Sequence, residues 1–94
     1  MKRRFNKSRL ITPRNYYTPF FPQFDIKKKW IKVLCPFHDD EAPSLSINTE
    51  KGCFKCWGCG EKGGDIISFH MKKHGMSFVD AVSHFNAWEY YEEN

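Results

Sequence analysis

The chain has 94 residues, 15 Lys or Arg against 11 Asp or Glu, and a net charge of +4. A chain this short makes one thin domain with a modest core, and its sequence holds no apolar run long enough for a membrane-spanning helix. Its four cysteines follow no apolar signal segment, so they are expected to serve an intracellular, cytoplasmic metal site and not two disulfides of a secreted protein.

Charge is divided along the chain. Residues 1–34 hold ten Lys or Arg and one acid, Asp25, whereas residues 35–94 hold five basic and ten acidic residues. Such a split points to a polyanion at the N-terminal side. Residues 1–12, with Lys2, Arg3, Arg4, Lys7 and Arg9, read as a flexible basic arm. Residues 13–24 contain three prolines, which forbid a regular helix, yet Tyr16, Tyr17, Phe20, Phe21 and Phe24 are too apolar for a solvated linker. That strip is expected to cover a small core. A docking strip for another protein, or a stacking surface for bases, is the sharper alternative. Residues 1–26 therefore read as a basic, aromatic and proline-rich segment ahead of a domain over 27–94.

Lys27, Lys28 and Lys29 lead into a strand over 30–34, with Ile31 and Val33 on one side and Trp30 and Lys32 on the other. A second strand over 44–48 points Leu45 and Ile47 inward, and a turn at 50–52 sends the chain back as a third, over 53–56. Lys32, Lys55 and Trp30 would then share a basic, aromatic face with Lys51 beside it, which suits single-stranded nucleic acid. After Gly63 and Gly64, Asp65 is placed to cap a helix over 66–74 that Gly75 ends. Ser77 caps a second helix, with Asp80 at its third position and Phe78, Ala81, Val82 and Phe85 as its core face. His70 and His74, one turn apart, read as helix-surface and last-turn residues in preference to ligands of a second metal. The acidic end, residues 89–94, is expected to fray.

The chemistry lies between residues 35 and 64. Cys35 and His38 are separated by two residues, 17 residues follow, and Cys56 and Cys59 are again separated by two. Each short pair turns sharply enough to aim both side chains at one point, as a tetrahedral zinc ion needs. Pro36 stiffens the first pair, and Gly58 and Gly60 leave room at the second. Cys53 and Cys56 also form a two-residue pair. Strand parity separates them, since Phe54 and Cys56 share a face while Cys53 and Lys55 point away. The ligand set is thus Cys35, His38, Cys56 and Cys59, with Cys53 spare. An iron–sulfur centre on all four cysteines is the competing chemistry, and it would leave His38 without a role.

With these residues the sequence resembles the CHC2 zinc-binding domain of bacterial DnaG-type DNA primases, most closely the short forms of phage and plasmid primases. The resemblance rests on Cys35 to His38, Asp39 to Glu41, Pro43-Ser44-Leu45, Cys56 to Gly60, Gly64-Asp65 and Ser77 to Val82, and it covers about residues 27–88. It departs at residues 1–26, where that family begins with a helix, and at Cys53, where the family tends to carry an aromatic or aliphatic residue. The resemblance implies a domain that helps recognise template DNA where a primer begins, with polymerisation carried by a separate domain.

Together these features predict a small α+β, zinc-ribbon-like domain: an antiparallel sheet holding one structural zinc, backed by two C-terminal helices. It is expected to have no catalytic residues and not to be an enzyme on its own. Expected partners are single-stranded DNA, through Lys27, Lys28, Lys29, Trp30, Lys32, Lys51 and Lys55, and a primase catalytic domain or another replication protein. No membrane and no small-molecule substrate are expected. A protein-interaction adaptor working through the N-terminal aromatic strip is the alternative, with a thiol redox sensor using Cys53 behind it.

Overall fold

A computed structural model describes residues 1–92. Its centre is a four-stranded antiparallel sheet in sequential order: β2 (Trp30–Val33), β3 (Leu45–Asn48), β4 (Phe54–Cys56) and β5 (Lys62–Gly63). Alternation decides its faces. Ile31, Val33, Leu45, Ile47, Phe54 and Cys56 are buried, while Trp30, Lys32 and Lys55 are exposed on the other side. The β3–β4 turn is held by Asn48, whose side-chain oxygen accepts from the amides of Glu50 and Lys51 at 3.0 and 2.8 Å. Gly52 closes it at φ 81°, a left-handed conformation that favours glycine. β5 is an addition to the three expected strands.

Two helices follow: the first reaches the buried face of the sheet through Ile66 and Phe69, and the second packs on the first. The first, α2 (Ile66–His74), starts where the Asp65 side chain accepts from Ser68 N and stops at Gly75, φ 63°. The second, α3 (Phe78–His84), starts where Ser77 accepts from Asp80 N. Phe69 is fully buried at the centre, with Phe54 and Phe37 at ring-centroid distances of 5.3 and 5.2 Å. On α3, Ala81 and Val82 are buried as expected and Phe85 packs on both core clusters, but Phe78 stays 43% exposed.

The N-terminal third differs from its sequence reading in two ways. Residues 1–12 are no flexible arm. Strand β1 (Lys2–Phe5) pairs antiparallel with β6 (Trp88–Tyr91), in register from Lys2↔Tyr91 to Phe5↔Trp88, as a two-stranded ribbon apart from the main sheet. Arg4 reaches Glu89 at 3.3 Å, and the Arg3 guanidinium lies 4.3 Å from the Trp88 ring centroid. The basic start and the acidic end of the chain thus meet, so Glu89 to Tyr91 are strand and not frayed. Residues 93–94 of the expected frayed end lie outside the described residues.

The second difference is local. Pro13 does not prevent a helix but opens one: α1 (Pro13–Tyr17) has Pro13 in its first turn, where a missing N–H costs nothing, and Thr12 as its cap. Proline excludes the helix only further on, at Pro19 and Pro22. The strip itself covers the core. Tyr17 is 0% exposed and donates its hydroxyl to the Gly52 carbonyl at 2.7 Å, while Tyr16 and Phe21 are also buried.

His70 is the third correction. Expected on the helix surface, it is 5% exposed, between the Tyr16 hydroxyl, 2.9 Å from its Nδ1, and the rings of His74, His84 and Phe85. Burial drives its pKa down from 6.5 to about 4, and the nearby His74, His84 and Lys73 add to the shift.

Candidate metal centre and nucleic-acid face

Two loops at one end of the sheet carry the metal ligands. Cys35 and His38 lie in the β2–β3 connection; Cys56 ends β4, and Cys59 follows in the turn to β5. Their candidate donor atoms all fall within 4.8 Å of one another. Cys35 Sγ is 3.9 Å from Cys59 Sγ, and Cys56 Sγ is 3.8 Å from His38 Nδ1. A tetrahedron with zinc–sulfur bonds of about 2.3 Å has edges of about 3.8 Å, so four donors at this separation suit one zinc ion. Cys53 stands outside the group, just ahead of β4, where its carbonyl accepts from Asn48 N at 2.8 Å. The iron–sulfur alternative, which needs all four cysteines, therefore fails on geometry.

The surroundings favour negative sulfur at Cys56, not at Cys35, and they orient the imidazole. Amides of Gly58 and Cys59 donate to Cys56 Sγ at 3.3 and 3.4 Å, and that of Phe37 donates to Cys35 Sγ at 3.4 Å. Burial pushes the Cys35 thiol up to about 12. Burial acts in the same direction on Cys56, but the Ser44 hydroxyl and the Cys59 and Gly58 amides outweigh it and bring that thiol down to about 6. A bound divalent cation would hold all three sulfurs as thiolates.

Asp40 ties the knuckle together. Its Oδ2 accepts from Cys35 N at 2.9 Å and from Ser44 Oγ at 2.7 Å, while Oδ1 lies 3.5 Å from His38 Nε2. The Cys35 amide, and then the Ser44 hydroxyl, hold its carboxyl below the usual carboxylate range. With Nε2 turned to Asp40, Nδ1 is the nitrogen that faces Cys56, a carboxylate–imidazole–metal arrangement. Gly58 is required for space, because a Cβ there would stand 2.9 Å from His38 Nε2. Sequence reasoning missed Asp40, whose signal lay in its position two residues after a ligand imidazole.

Next to the metal end, the open sheet face is cationic. Register places Lys32 opposite Ser46, Ser46 opposite Lys55, and Lys55 opposite Lys62, so one row across four strands carries three lysines. Trp30 is 50% exposed on β2, two residues from Lys32. Trp57, 66% exposed, lies over the row: its Nε1 donates to Ser46 Oγ at 3.2 Å, and Lys55 Nζ is 4.1 Å from its ring centroid. Lys27, Lys28 and Lys29 are exposed ahead of β2, where the Lys28 carbonyl accepts from Thr49 Oγ1 at 2.6 Å, and Lys51 is exposed in the nearby turn. Trp30, Lys32 and Lys55 thus come together as expected, while Lys27 to Lys29 and Lys51 gather at the turn end. Trp57 and Lys62 join the face unforeseen. An aromatic residue between two paired ligands was the available signal for Trp57.

A closed Cys₃His tetrad held at the connections between short strands defines this chain as a zinc ribbon that binds one Zn²⁺. It belongs to the CHC2 zinc-finger family, the zinc ribbon of DnaG, which matches residues 24–91. It is 51% identical over 49 residues to a DNA primase of Listeria monocytogenes, a match that covers 52% of this chain and 8% of that protein. A DNA primase of Clostridium acetobutylicum is 49% identical over 51 residues, covering 54% of this chain and 8% of the relative. A third, of Mycolicibacterium smegmatis, is 50% identical over 52 residues, covering 55% and 8% respectively. The chain therefore spans less than a tenth of the length of these curated relatives.

Proposed function

We propose that this domain binds single-stranded DNA on the open face of β2–β5 and helps a DNA-priming system to recognise its template. The observation that carries the reading is the row of Lys32, Lys55 and Lys62 beside the exposed rings of Trp30 and Trp57. Like charges directly opposite one another, as Lys55 and Lys62 are, destabilise a sheet, and a polyanion offsets that cost. Exposed indoles offer bases a sequence-tolerant stacking surface. Lys27, Lys28, Lys29 and Lys51 extend the cationic field at the turn end of the face.

The zinc ion, with four protein donors and no open position, would hold the knuckle and the sheet in place and take no part in a reaction. In this reading the domain does not polymerise by itself and works with a primase catalytic chain or another replication protein. The relatives named above are DNA primases, which supports that assignment. The adaptor reading is weakened, because Tyr16, Tyr17 and Phe21 of the N-terminal strip are packed in the core, although Phe20 stays exposed and Phe24 half-buried.

The test is a titration of zinc-loaded protein with single-stranded DNA at two salt concentrations, with and without chelator. Affinity is expected to fall by about 0.7 log unit per log of salt for each phosphate contact, the single-strand slope. Trp57→Ala and Trp30→Ala should each cost about 1–3 kcal/mol where a base stacks, and Lys55→Ala should reduce the salt slope. Unchanged affinity in folded, zinc-loaded Trp57→Ala, Trp30→Ala and Lys55→Ala proteins would reduce this face to ordinary surface.

A further inference from the structure

On the opposite side of the core from the lysine row, three imidazoles and a phenol form a cluster that zinc binding does not use. His70 occupies its centre, 5% exposed. Its ring centroid is 4.3 Å from that of His74, one turn along α2, and 4.5 Å from that of His84 on α3, where the two rings stack at 26°. From α1, the Tyr16 hydroxyl bonds Nδ1 at 2.9 Å. Phe85, at the end of α3, closes the cluster with centroids 4.9 Å from His70 and 5.6 Å from Tyr16. Among the described residues, the groups whose charge acts on His70 are His74, His84 and the Lys73 ammonium, each of which opposes a further positive charge.

We infer that this cluster is a proton-sensitive latch, which holds α3 against α1 and α2 while its imidazoles are neutral and releases α3 when they charge. Three physical effects act in one direction. Stacked imidazoles at about 4.5 Å attract weakly when neutral and repel when two carry charge, with Lys73 adding to the repulsion. A protonated His70 would be a buried cation, and none of the ion pairs among the described residues involves it. Its ring would also carry N–H at both nitrogens, so the bond to Tyr16 could persist only with the hydroxyl as acceptor. The linkage sign follows from the lowered pKa. Stability from the neutral cluster is complete above about 6.5, the unfolded value, and is lost as pH falls from there towards about 4.

The consequence reaches beyond α3. Through Asn86, at φ 53°, and Ala87, α3 runs directly into β6, whose partner is β1. Release of α3 would therefore free the ribbon while leaving the zinc knuckle and the lysine row intact. None of the three imidazoles belongs to the metal group.

The experiment is an acid titration of zinc-loaded full chain from about pH 7.5 to about pH 4.5, bracketing the ordinary imidazole value. Backbone amide NMR follows α3 and the zinc knuckle as separate reporters. The signals of α3 and β6 are expected to change at a higher pH than those of Cys35 to His38 and Cys56 to Cys59. In a His74→Gln/His84→Gln protein, both exposed positions, the α3 midpoint should drop by about one pH unit, the scale of removing a neighbouring like charge. His70→Gln, which keeps a partner for Tyr16, should abolish the α3 transition in this range. If His70→Gln does not fold, the double variant decides alone. An α3 midpoint unmoved in that variant overturns the latch, and so does a midpoint that coincides with the zinc knuckle's in wild type and variant alike.

Discussion

Asp40 shows how much of a metal site lies in residues that never touch the metal. One carboxylate accepts from the backbone of the first ligand and from Ser44, and also faces the second ligand's imidazole. Removing it should leave the four donors in place but poorly oriented. Asp40→Ala is expected to keep zinc with affinity weakened about 10–100-fold. In the same metal-binding series, Cys53→Ser should retain the metal at wild-type affinity, whereas Cys56→Ser should lose it, because Cys56 Sγ faces His38 and accepts two knuckle amides. A metal-free Cys53→Ser protein beside a metal-loaded Cys59→Ser protein would reverse the ligand assignment.

At the scale of elements, the ribbon changes what the N-terminal cations do. Arg4 is spent on Glu89, Arg3 lies over Trp88, and Lys7 approaches Asp65 at 3.9 Å. Charge separated along the chain is partly cancelled in space, and the lysines that stay clustered are those of the sheet face and its turn. Phe5 also packs beside Phe78 and Trp88, at a centroid distance of 5.6 Å from Phe78. Deleting residues 1–5 should therefore destabilise α3 and β6, with a melting temperature lower by about 4–8 °C for each kcal/mol lost. Differential scanning calorimetry checks this, and an unchanged melting temperature would return the segment to the status of an arm.

For the whole molecule, the question is how a thin domain stays folded. Its two buried clusters share Leu10 and Phe85, and the N-terminal aromatics Tyr16, Tyr17 and Phe21 enlarge the one that also holds Cys35 and Cys56. Zinc in finger-like sites is worth roughly 10 kcal/mol or more, against a total stability of about 5–15 kcal/mol for a domain. Chelation near neutral pH is thus expected to leave the chain largely unfolded, measured as loss of the far-ultraviolet circular dichroism and of the cooperative thermal transition. A transition unchanged by chelation would make the ion an accessory to a core that stands without it.

What the sequence by itself determined was local in origin. Cys35 with His38, and Cys56 with Cys59, are each aimed by their own turn, so spacing found the pairs and strand parity set Cys53 aside. Alternation placed Ile31, Val33, Leu45 and Ile47 inward, and Asp65, Gly75 and Ser77 marked helix ends through hydrogen bonds and dihedral preferences a few residues long. Tertiary structure alone decided the rest, because each contact joins segments far apart in the chain. The Arg4–Glu89 pair spans 85 positions, and Tyr16 meets His70 across 54. Trp57 reached the lysine row only when β3 and β4 aligned Ser46 beneath its indole. No local preference encodes such meetings. They follow from which apolar surfaces the whole chain can bury at once, and that is why a basic arm became a strand and a surface histidine became the centre of a cluster.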